Sequence, residues 1–156
     1  MTGAARPLAA YPVFAQLPEA ELELIASTAR TVQFAARERL FSEGHSAHGC
    51  WLIEDGRVAL DMTVPGRGQV VLQTLGPGDV LGWSWLVPPY RWHYGATSVL
   101  PTTATELDTA QLRALAAQDP RFGYTLVLTL FEAVLQRLQA TRARLLDLYG
   151  IPHDQR

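Results

Sequence analysis

Between Thr31 and Leu107 the chain is cut by glycine-bearing turns roughly every ten to twelve residues, and that rhythm restricts the fold more than any other feature. The turns are Gly44, Glu54-Asp55-Gly56, Pro65-Gly66-Arg67-Gly68 and Gly76-Pro77-Gly78-Asp79. Between them lie short runs rich in Val, Leu, Trp and Thr. This is the pattern of a small β-sandwich or barrel. Val58, Leu60 and Met62 alternate with Ala59, Asp61 and Thr63, as in a strand with one face buried. Glu54-Asp55-Gly56 and Pro65-Gly66 are expected to be hairpin turns, because their glycines accept positive φ.

Helical patterns flank this region. Residues 17–30 predict a helix, with Pro18 in its first turn, Glu19 and Glu21 at its positive end, and Leu22, Ile25, Ala26 and Ala29 on one face. Residues 108–120 predict a short helix capped by Asp108 or Thr109 and closed by Pro120. Residues 121–149 predict a long one. Along it, Val127, Phe131, Val134, Leu138, Thr141, Leu145 and Leu148 are spaced alternately by four and three, a coiled-coil seam with one polar position. Leu128, Leu130, Leu135 and Leu146 lie off that seam. So much apolar surface predicts two packing partners, the β region and a second copy of the chain, and hence a homodimer through residues 121–149. The expected organisation is a flexible stretch over 1–12, a helix and β region over 13–107, C-terminal helices of the same domain over 108–149, and a tail over 150–156.

Composition narrows the function. The chain has 156 residues, 48% hydrophobic and 18% charged, enough for one domain with a real core. The net charge is −2, so no strong field draws it to nucleic acid or to an anionic membrane. It contains no lysine, so any phosphate contact falls to arginine, backbone amides or hydroxyls. Cys50 is the single cysteine, there is no convincing signal peptide, and no apolar run is long enough to span a bilayer, so a cytoplasmic location is expected.

The order of helix, glycine-punctuated β region, short helix and long helix resembles the cyclic-nucleotide-binding domain of the Crp/Fnr-type bacterial regulators. Particular residues carry the likeness. Residues 40–60, LFSEGHSAHGCWLIEDGRVAL, are similar to that family's strand–glycine–strand run. Residues 75–86, LGPGDVLGWSWL, resemble the entry to its phosphate-binding cassette. Residues 137–142, RLQATR, resemble the part of the long helix that faces the base. The resemblance implies an α+β, mainly β fold: a jelly-roll-type β-roll with an N-terminal helix, a short helix and a long C-terminal helix. It implies a sensor domain that binds a small anionic effector such as cAMP, without a resident cofactor, and signals through the long helix to a partner protein. The family's DNA-reading helix-turn-helix has no counterpart here, so direct DNA binding is not expected.

The resemblance also implies a ligand site of Gly82, Trp83, Ser84, Trp85, Arg91, His93, Arg137 and Thr141. Gly82 permits close backbone approach, and the amides after it form a potential anion nest. Arg91 is the candidate phosphate ligand, although it falls slightly early, where the family register places Trp92 or His93. Arg137 and Thr141 reach ligand from the long helix, with Thr141 at the subunit interface. The ribose-binding glutamate is replaced by Trp83. That substitution supports an alternative, a ligand-free dimeric scaffold whose pocket is plugged by tryptophan. A second alternative is a different effector, such as a non-cyclic nucleotide, an organic anion or haem, on an aromatic lining. His45, His48 and Cys50 are close in sequence but lack a fourth ligand, so no metal site is expected. Neither G-x-S-x-G nor a Walker loop occurs, and no enzymatic activity is expected.

Overall fold

The computed structural model describes residues 7–150. In chain order the elements are α1 (Glu19–Ala26), β1 (Ala29–Phe34), β2 (Arg39–Phe41), β3 (Cys50–Asp55), β4 (Val58–Val64), β5 (Gly68–Leu75), β6 (Val80–Leu81), β7 (Gly95–Ser98), β8 (Thr102–Leu107), α2 (Thr109–Gln118) and α3 (Pro120–Leu148). The strands form two antiparallel sheets, ordered β1-β8-β3-β6 and β2-β7-β4-β5. This is the expected β-roll, mainly β with helices at both ends. Its interior is filled by residues such as Leu52, Ile53, Val58, Leu75, Leu81 and Trp85.

One turn differs from expectation. Pro65-Gly66 does close a hairpin, with Val64 paired to Gly68. Glu54-Asp55-Gly56 does not, because β3 and β4 belong to different sheets. It is a crossover between layers. Gly56 takes φ +107° there, and a Cβ at that position would lie 2.5 Å from Thr102 Oγ1 and 2.6 Å from the Pro101 carbonyl. Only glycine fits so close a passage.

The alternation in β4 holds only beyond Asp61. Val58, Ala59, Leu60 and Asp61 are all buried. Asp61 tolerates burial because Arg39 meets it with both guanidinium ends, Nη1 to Oδ2 at 2.5 Å and Nη2 to Oδ1 at 3.1 Å.

Helix α1 is shorter than predicted, and Ala29 and Arg30 already open β1, paired with Leu107 and Glu106 of β8. The hydroxyls of Ser27 and Thr28 donate back to the carbonyls of Leu24 and Ile25, ending the helix. The start of the chain is not loose over residues 7–12. Leu8 and Tyr11 are buried, and the Tyr11 hydroxyl is hydrogen-bonded to Thr105 Oγ1 at 3.1 Å. The rest of the stretch predicted as flexible lies outside the described residues, as does the tail beyond Gly150.

Asp108 caps α2 by accepting from the Gln111 N–H. Asp119 caps α3 by accepting from Arg121 and Phe122, and Pro120 opens α3 rather than merely ending α2. Phe122, Leu126 and Leu130 bury one stripe of α3. The predicted seam faces outward: Val127, Phe131, Leu138, Leu145 and Leu148 are exposed. Among the described residues, no helix is long and apolar enough to cross a membrane.

Candidate functional site

The site begins where β6 ends. Gly82 takes φ +93°, and a Cβ there would lie 2.5 Å from the Gly49 carbonyl and 3.1 Å from Trp92. The turn therefore requires glycine, and it sends the next residues in opposite directions. Trp85, in the short 3-10 turn Ser84–Leu86, is fully buried and donates its indole N–H to the Gly82 carbonyl at 3.0 Å. Trp92 is buried as well, stacked on Phe41 with ring centroids 3.7 Å apart. These two indoles fill the core. Trp83 points the other way, beneath α3.

There the Arg137 guanidinium lies over the Trp83 ring, 4.3 Å from its centroid. A contact of this kind stabilises by about 0.5–2 kcal/mol, more as water is excluded. Arg137 Nη2 also donates to the Val80 carbonyl at 2.8 Å. One turn further along, the Thr141 hydroxyl donates to the Arg137 carbonyl. Leu60, Leu72, Gln73, Trp83, Tyr94, Arg137 and Thr141 line a half-open cavity of about 280 Å³ between the roll and the long helix. A larger groove of about 760 Å³ also reaches Arg137, between residues 12–18, the 77–80 turn and α3. Two residues lining the smaller cavity each carry a buried polar atom without a hydrogen-bond partner in the protein, Arg137 Nη1 and the Tyr94 hydroxyl.

Burial lowers the pKa of Arg137, opposed by its interactions with Tyr94 and Asp79. Burial raises the Tyr94 phenol to about 12, with the Arg137 charge acting against the shift and Cys50 adding to it. The phenol is a neutral donor, and the guanidinium is a poorly hydrated cation.

Of the residues named from sequence, Trp83, Arg137 and Thr141 meet in this cavity, with Gly82 setting the turn behind them. The others lie elsewhere for local reasons. Trp85 is core. Ser84 is buried, its hydroxyl 3.3 Å from His93 Nδ1, so these two polar groups face each other. Arg91 sits on an isolated bridge with Ser46 and donates to the Gly44 carbonyl at 2.9 Å, on the exposed side of the 87–91 loop. Pro88-Pro89, a cis pair, precedes it in that loop. Tyr94 was missed by the sequence reading. No spacing in the sequence singles it out, because His93 and Tyr94 lie in a bend just before β7.

The fold is thus a two-layer β-roll with a cavity under its C-terminal helix. Residues 31–119 match the family model described as the cyclic nucleotide-binding domain, and the chain belongs to that family. The Mycobacterium tuberculosis CRP-like cAMP-activated global transcriptional regulator is 24% identical over 141 residues. That match takes in 90% of this chain and 61% of the relative, so the chain spans about three-fifths of the length of the curated relatives it matches. A Geobacter metallireducens protein described as a cyclic nucleotide-binding protein superposes with a TM-score of 0.73 at 26% identity, over 82% of this chain and 92% of that one. The Thermus thermophilus catabolite activator protein superposes with a TM-score of 0.68 at 24% identity, over 89% of this chain and 63% of that one.

Proposed function

We propose that this domain is a sensor of a small anionic effector of the cyclic-nucleotide type, which enters between the β-roll and α3. The observation that carries the reading is the cavity of about 280 Å³ whose walls bring together Trp83, Tyr94, Arg137 and Thr141. It brings aromatic rings, the Arg137 side chain and the Thr141 hydroxyl to one place, a set suited to a compact ligand with one anionic group and a ring. Trp83 is a wall of this cavity rather than its filling, which favours a binding site over a closed scaffold. cAMP is the first candidate, consistent with the relatives named above.

The signal leaves through α3. Thr141 lines the cavity and also belongs to the outward seam of Val127, Phe131, Leu138 and Leu145, so a ligand touching it acts at the edge of that surface. The seam is the dimerisation face, and dimer geometry is what a partner protein reads.

Melting temperature with and without millimolar cAMP, cGMP and 5′-AMP tests the reading. A ligand at a hundred times its Kd stabilises the folded state by about 2.7 kcal/mol, a rise of roughly 5–10 °C for a domain of this size. A shift with a cyclic nucleotide that exceeds the shift with 5′-AMP supports the proposal. No shift with either cyclic nucleotide overturns it in favour of another effector or a ligand-free role.

A further inference from the structure

Along the larger groove, α3 presents a face that the fold leaves open. The groove follows that helix from Thr125 to Ala140, about 22 Å or four turns. At 3.6 residues per turn, Thr125, Thr129, Glu132 and Ala140 stand on the side away from Val127, Phe131, Leu138 and Leu145, so groove and seam are separate surfaces of one helix. We infer that the groove docks a short, basic amphipathic helix of a partner protein.

Shape and charge select that occupant. Thr125, Thr129, Ala133 and Ala140 are small, so a second helix can lie close along α3. The other walls include Val13, Leu17, Pro18 and Pro77, and Leu128 adds an exposed apolar side chain. These take the apolar stripe of an incoming helix. The charges are one-sided. Among the described residues lining the groove, the acids are Asp79 and Glu132, both exposed, and the one base is Arg137. Arg137 is committed, with its face on Trp83 and Nη2 donating to the Val80 carbonyl. Helix α1 follows directly from Pro18 of the groove wall, carries Glu19, Glu21 and Glu23, and holds no basic residue. Lysine or arginine on the incoming helix meets these carboxylates, whereas they repel an anionic lipid surface or a nucleic acid.

The position gives such a partner access to the state of the domain. Gln73 and Arg137 line both the groove and the smaller cavity, so the two spaces share walls. The docking itself rests on the groove alone and does not depend on which effector fills that cavity.

Fluorescence anisotropy with the full chain tests this, using as probe a labelled Leu/Lys amphipathic peptide of about four helical turns. The peptide is expected to bind, and its counterpart with Glu in place of each Lys to bind at least about tenfold more weakly. Glu132→Lys is expected to weaken binding about three- to thirtyfold, by turning an attraction into a repulsion. Ala140→Trp fills the groove without changing charge and is expected to weaken binding about tenfold or more; Leu128→Ser, which removes an apolar contact, serves if that variant fails to fold. Asp55→Lys reverses a charge outside the groove and Leu138→Asp alters the seam; each leaves affinity within about twofold. Absence of binding overturns the inference. So does binding that Asp55→Lys weakens as much as Glu132→Lys while Ala140→Trp and Leu128→Ser leave it intact, which is charge attraction alone. So too does self-association, read by sedimentation, that Ala140→Trp abolishes and Leu138→Asp does not, since the occupant is then a second copy of the chain. Any rise in melting temperature with cAMP is expected to persist in Glu132→Lys, so failure of docking and failure of nucleotide binding are read separately.

Discussion

Cys50 is wholly enclosed by the roll, and loss of hydration raises its thiol to about 12, against a smaller opposing effect from the Trp85 hydrogen bond. In the unfolded chain the same thiol ionises near its ordinary value, close to 9. The folded state therefore holds the proton more tightly. Its stability is intact below about pH 9 and is lost as pH rises toward 12, by at most about 1.4 kcal/mol per pH unit for one group. Tyr94 adds a similar loss that begins nearer pH 10. Melting temperature followed from pH 8 to 11 is expected to fall, and Cys50→Ala to remove the earlier part of the fall. The native thiol is also expected to resist alkylation until the protein is unfolded. At this scale the sequence was only partly legible. It marked the tryptophan cluster, but Trp83 and Trp85 differ in fate because Gly82 turns the backbone between the sheet and α3. The surroundings of Arg91 were equally hidden, since Gly44 is remote in sequence.

Helix α3 carries two apolar stripes with different roles. Phe122, Leu126 and Leu130 recur every four residues and are buried, whereas Val127, Phe131, Leu138 and Leu145 are exposed in the single chain. Leu126→Ala is expected to cost about 2–5 kcal/mol of folding stability, read from the denaturant midpoint, because it opens a cavity in the core. Leu138→Asp is expected to leave the melting temperature of the single chain nearly unchanged and to abolish self-association, read by sedimentation. A dimer that survives Leu138→Asp would place the interface elsewhere. The four-three spacing made the outer stripe legible before any coordinates. The inner stripe was less so, because Phe122, Leu126 and Leu130 lie off the four-three seam and recur only every four positions. Among the strands, Pro65-Gly66 announced its hairpin, yet Glu54-Asp55-Gly56 carries the same turn chemistry and joins two layers instead. Local turn preference sets a bend, and the strand pairing that follows depends on remote partners.

The whole roll depends on its last strand. β8 lies between β1 and β3, with Ala29 opposite Leu107 on one side and Cys50 opposite Leu107 on the other. The element order made the family legible from sequence, because helices and glycine turns recur in a fixed succession. This central place of β8 was not, since nothing in TTATEL announces two neighbours. A chain ended after Pro101 lacks that strand and is expected to show neither cooperative melting nor native-like circular dichroism, whereas the chain through Gly150 shows both. During synthesis the same arrangement imposes a wait. β1 leaves the ribosome early, and its edge remains unsatisfied until Leu107 emerges. The nascent chain then carries an open, sticky border while residues 35–107 are made, an interval in which a chaperone is expected to matter.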